Sequence, residues 1–90
     1  MTATVPAAEA ALAKAARGSN SSEALYRLGI MYSTGQGVPQ DNVAAHKWFN
    51  LAAMAGHQEA RTWRRQLADE MSAAEIADAQ RQARAWLAGA

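Results

Sequence analysis

The run Gly35-Gln36-Gly37-Val38-Pro39 separates two segments whose apolar residues recur at helical spacing, and it constrains the fold more than any other feature of the chain. Glycines at both flanks of Gln36 supply the positive backbone dihedrals that a tight interhelical turn requires. Pro39 in turn disfavours helix at Val38. Upstream, Leu25, Leu28 and Tyr32 are spaced three and four apart; downstream, Ala45, Trp48, Phe49 and Ala52 form the bulkiest apolar stripe. The two segments read as a helical hairpin. Two amphipathic helices joined in this way cannot bury their apolar faces alone, so the unit must stack on neighbours and present a groove. The pattern points to a binding scaffold.

Helix-period patterning covers most of the remaining sequence, and no stretch alternates as a half-buried strand would, which predicts an all-α fold. A first helix spans Ala7 to Ala16, contains Leu12 and stops at Arg17-Gly18, before a polar turn from Ser19 to Ser22. The second runs from Glu23 to Tyr32 with Ser22 as N-cap. Gly29 inside it costs about 1 kcal/mol against alanine, so it marks a spot where the next helix approaches the backbone closely. Asp41 or Asn42 caps the third helix and Gly56 stops it. A fourth, from Gln58 to Met71, carries Ala60, Trp63, Leu67 and Met71 on one face. The fifth opens with a capping box, Ser72 with Glu75, and aligns Ile76, Ala79, Ala83, Trp86 and Leu87. Trp48, Trp63 and Trp86 all fall on apolar stripes and are expected in the core.

Ala24 and Ala60 each open a helix, 36 residues apart, which is a repeat-like period. The second unit is degenerate, with Arg65 where Gly29 was and Ala68 where Tyr32 was. The expected organisation is one domain, 1–90: a complete repeat at 22–57, an amino-terminal half-repeat helix at 6–18 and a degenerate capping hairpin at 58–88. About five helices in antiparallel α-α hairpins then make a short capped α-solenoid fragment.

The central segment resembles the Sel-one-like repeat family, relatives of the tetratricopeptide repeats, whose pattern runs A-x-Y-x-L-G-x-M-Y, then G-x-G-V-P-Q-D, then A-x-K-W-x-x-x-A-A-x-x-G. Ala24, Tyr26, Leu28, Gly29, Met31 and Tyr32 fall on its first part, Gly35, Gly37, Val38, Pro39, Gln40 and Asp41 on its second, and Lys47, Trp48, Ala52, Ala53 and Gly56 on its third. The resemblance implies an α-solenoid adaptor that assembles protein complexes, often in bacterial or membrane-associated signalling, with no catalytic residues of its own. In tetratricopeptide relatives the positions of Tyr26 and Ile30 line the concave face. That pair, ringed by Glu23, Arg27 and Ser33, is the candidate partner-binding site. One full repeat gives a short groove.

The chemistry-bearing residues agree with a non-catalytic reading. His46 and His57 are the only imidazoles and there is no cysteine, so no metal or cofactor site is expected. His46 is expected on the surface beside Lys47 and His57 in an exposed turn. No strand-to-helix nucleophile elbow precedes a serine, and no P-loop lysine-serine pair follows the glycines. Arg61, Arg64, Arg65, Arg81 and Arg84 are interleaved with Glu59, Asp69, Glu70, Glu75 and Asp78, with Arg65 and Asp69 at ion-pair spacing. At a net charge of +1 this is no nucleic-acid footprint. No signal peptide or membrane span is visible, which predicts a cytoplasmic protein without direct membrane insertion. The function expected is a non-catalytic protein-protein interaction module, an adaptor or scaffold acting as a monomer or within a larger complex. The alternative is a small structural subunit packed permanently into an assembly.

Overall fold

The computed structural model describes residues 7–19 and 22–89. Those residues form five helices and no strand: α1 (Ala7–Ser19), α2 (Ser22–Thr34), α3 (Asn42–Met54), α4 (Gln58–Ala68) and α5 (Ala73–Leu87). The all-helical expectation holds. Helix α3 is the hub, packed by α2, α4 and α5, while α1 rests on α2.

Local chemistry sets the boundaries, and several differ from the sequence expectation. Helix α1 continues through Gly18 to Ser19, and Asn20 and Ser21 of the expected polar turn lie outside the described residues. Ser22 is the first residue of α2 and not its cap, because the helix starts a residue earlier than expected. At its other end α2 runs past Tyr32 to Thr34, whose hydroxyl donates to the Ile30 carbonyl at 2.7 Å. Gly35 then turns the chain with φ +76°, its N–H donating to the Met31 carbonyl at 2.8 Å, and Gly37 follows at φ +75°. The Asp41 N–H reaches back to the Tyr32 carbonyl at 2.9 Å and closes the turn. Asp41 also caps α3, its carboxylate accepting the Ala44 N–H at 3.1 Å. Helix α4 stops at Ala68 instead of Met71, with Asp69 at its C-cap and Met71 buried beyond its end. The capping box of Ser72 and Glu75 is formed as expected.

The largest fully buried side chains are Trp48, Phe49 and Leu28, all on the α2–α3 hairpin. Gly29 is the contact that lets them close. A Cβ built on Gly29 would lie 2.5 Å from Phe49 Cε1 and 2.9 Å from Cγ, with Cδ1 also in contact, so the face of the ring lies against the helix backbone.

Two residues expected in the core are substantially exposed. Trp63 is 41% exposed because Phe49 takes the interior place; the indole lies nearly parallel to that ring but offset from it, 6.1 Å between centroids. Leu87 is 56% exposed, since the half-buried Trp86 takes the edge-on contact with Trp48 at 5.7 Å. The reverse correction applies to His46, which is only 4% exposed. Three helices cover α3, so few of its positions remain open to water. Burial, with Arg64 adding to it, holds the His46 imidazole below its ordinary value, and Nδ1 has no hydrogen-bond partner among the described residues.

Gly29→Ala is expected to destabilise the protein. Alanine favours helix by about 1 kcal/mol, but overpacking against an aromatic ring with no room to retreat costs about 1–3 kcal/mol. Thermal unfolding followed by circular dichroism should show a lower midpoint; an unchanged or higher one contradicts the contact.

A second expectation concerns pH. The unfolded chain protonates His46 near the ordinary value of 6.5, whereas the folded chain resists. The stability associated with neutral His46 is therefore complete above that value and is lost as pH falls through the lower folded value. In guanidinium titrations the gap between wild type and His46→Leu should shift in favour of the variant between pH 7.5 and 5. Parallel pH curves would show that His46 carries no such linkage.

Candidate functional site

Glu23, Tyr26, Arg27, Ile30 and Ser33 all stand on α2. Tyr26 is half-buried, its ring stacked on His57 at 4.1 Å and tilted against Phe49 at 5.9 Å, while its hydroxyl donates to Glu59 Oε2 at 3.4 Å. Burial first, and the Glu59 carboxylate second, raise the phenol's pKa. Tyr26 is thus tied to the start of α4 by both its ring and its hydroxyl.

His57 is not the solvated turn residue the sequence suggested. Its Nδ1 accepts the Ala60 N–H at 3.3 Å and caps α4. An accepting Nδ1 places the ring proton on Nε2, which donates to Glu23 Oε1 at 3.2 Å. The second oxygen of Glu23 accepts from Arg27 Nε at 3.3 Å. The bond from His57, then that from Arg27, holds the Glu23 carboxyl below the ordinary carboxylate range. Sequence reasoning missed His57 because histidine is an uncommon cap; its place, directly after the helix-stopping Gly56 and three residues before Ala60, was the available signal.

Four of the five residues divide between two concavities, and Glu23 lines neither. An open groove of 480 Å³ between α1 and α2 is lined by Leu12, Tyr26, Arg27, Ile30, Met31 and Gln36, so Tyr26, Arg27 and Ile30 come together there, and Glu23 stands behind Arg27. Ser33 faces elsewhere. It lines a 240 Å³ concavity with Thr34, Phe49, Trp63, Gln66 and Leu67, its hydroxyl donating to the Ile30 carbonyl at 3.1 Å.

Arg65 and Asp69 do not form the expected ion pair, although the Asp69 N–H donates to the Arg65 carbonyl at 3.3 Å in helical register; both side chains are exposed, where water competes with such a pair. Among the described residues no group of three His, Cys, Asp or Glu could hold a metal ion, and no helix is long and apolar enough to cross a membrane.

No curated protein and no solved structure was found to match the chain. The family model of the Sel1 repeat matches residues 22–57. This match starts on the first residue of α2 and ends on His57, the cap of α4, so it encloses the α2–α3 hairpin and the side chain that joins the hairpin to the next helix. By family match, residues 22–57 of this chain are similar to the Sel1 repeat.

Proposed function

We propose that the chain is a non-catalytic protein-protein interaction module, an adaptor or scaffold whose contact surface is centred on Tyr26 and Ile30 of α2, with Arg27 and Glu23 beside them and Ser33, which faces the other concavity, outside it. Sel1 repeats mediate protein-protein interaction. The observation that carries the assignment to this face is the open groove, an apolar floor of Leu12, Tyr26, Ile30 and Met31 with polar side chains at its rim. Interfaces concentrate their energy in such central apolar anchors, at about 2 kcal/mol or more each. We place the module in the cytoplasm, as a monomer or within a larger complex.

A second reading, a structural subunit held permanently in an assembly, draws on a different surface. Met54, 61% exposed, and Leu87 flank an apolar concavity with Leu25, Leu51 and Trp86. A subunit would cover it.

The two readings part in one experiment. Because Tyr26 also packs against Phe49 and His57, the informative variant spares it: Ile30→Asp with Arg27→Glu. This double variant should keep its helical signal, and recover a partner seen with wild type roughly tenfold less or worse in affinity capture. Recovery at wild-type level would remove the groove from the interface. Loss of the partner on Met54→Asp with Leu87→Asp instead would favour the subunit.

A further inference from the structure

The 240 Å³ concavity that Ser33 lines differs from the groove in its chemistry, and that chemistry specifies a ligand. Ser33 and Thr34 line it from the end of α2, Phe49 from α3, Trp63 and Gln66 from α4, and Glu70 from just beyond the end of α4. It is smaller than the roughly 300–1,000 Å³ of sites that enclose a drug-sized ligand, so it suits a single side chain.

Three observations define that side chain. The first is an aromatic wall. The Phe49 and Trp63 rings lie 15° from parallel with 6.1 Å between centroids, and Trp63 is 41% exposed. Aromatic rings attract cations, and indole does so best. The second is charge. Among the described residues Glu70 is the only charged group lining the concavity, and its carboxylate forms no ion pair, so the complementary charge is positive. The third is the balance of donors and acceptors. The Ser33 and Thr34 hydroxyls each donate their one proton to the Ile30 carbonyl, at 3.1 Å and 2.7 Å, so toward a ligand they only accept. A carboxylate likewise only accepts. The amides of Gln40, Asn42 and Gln66 carry donors and acceptors alike and shift the balance neither way. The matching group is cationic and rich in donors. A guanidinium has five N–H donors and no acceptor, stacks on aromatic faces and grips a carboxylate with two parallel bonds, whereas an ammonium is a point charge without the plane.

We propose that this concavity receives an arginine side chain of a protein partner, its guanidinium against Trp63 and paired with Glu70; the proposal rests on the reading that the chain is a protein-interaction module and adds a contact outside the groove.

Three capped tripeptides, alanine-arginine-alanine and its lysine and citrulline counterparts, test this on the full chain. Citrulline keeps the shape of arginine without its charge. In NMR titrations the arginine peptide should shift the Trp63 indole and Ser33 amide signals saturably, with lysine binding about threefold and citrulline about tenfold more weakly. Glu70→Gln, at an exposed position, should weaken arginine binding about tenfold. Asp69→Asn, its neighbour outside the concavity, should leave binding within about twofold of wild type. Equal binding of arginine and citrulline, equal binding by wild type and Glu70→Gln, the lack of saturable binding, or shifts that map to the α1–α2 groove overturn the proposal. So does recovery of the captured partner at wild-type level by Glu70→Gln, which would show that the arginine is not the partner's. If the arginine peptide fails while the Ile30 and Arg27 variant loses its captured partner, the arginine site falls and the interaction face stands; if that variant keeps its partner too, the face falls as well.

Discussion

The face of Phe49 against the bare backbone of Gly29 is the contact on which the rest of the molecule depends. It fixes how closely α3 can approach α2, and α3 is the helix on which α4 and α5 pack. Glycine in mid-helix sacrifices about 1 kcal/mol of helix propensity, and the approach it permits places a complete aromatic side chain beyond the reach of water, worth several times that amount. In so small a domain the exchange is decisive. A hairpin held further apart would leave Leu28 and Trp48 without the cover that makes them core.

From that contact the structure extends outward through aromatic rings. Phe49 is flanked by Tyr26 on the α2 side and by Trp63 on the α4 side, and Tyr26 passes the contact to His57, whose one ring caps α4 and binds Glu23. The side chains that shape the groove are therefore positioned by the same stack that closes the repeat. Tyr26 has a double part, since its ring packs on His57 and Phe49 and it also lines the groove. Ile30, Arg27 and Met31 are freer to serve a partner.

The hairpin was legible because its signals were redundant. Two glycines, a proline, a capping aspartate and two apolar stripes all specified the same turn, and Gly29 announced a close approach before its partner ring was identified. The positions misread are those where a one-dimensional stripe carries no information about how many helices cover it. Trp63 and Leu87 obey helical spacing, yet their helices lie on the outside of the bundle, and a neighbouring ring took the interior place first. His46 was misjudged the other way, since α3 is covered on three sides and a residue beside a lysine can still be enclosed. His57 had a role that depends on two residues more than thirty positions earlier, Glu23 and Tyr26, and no local pattern encodes such a contact. The candidate residues on α2 were found as a set, but Ser33 sits in the other concavity because it lies on the side of the helix turned toward α4.

The proton spectrum of Gly29 tests the central contact without perturbing it. A ring face against the glycine backbone shields the α-proton that points at it, so one Gly29 α-proton should resonate well upfield of the usual glycine range and of its geminal partner. That shift should collapse in Phe49→Leu, which removes the ring current while retaining an apolar side chain. Two Gly29 α-protons at ordinary positions in the folded wild type would contradict the contact, and with it the account of how this repeat closes.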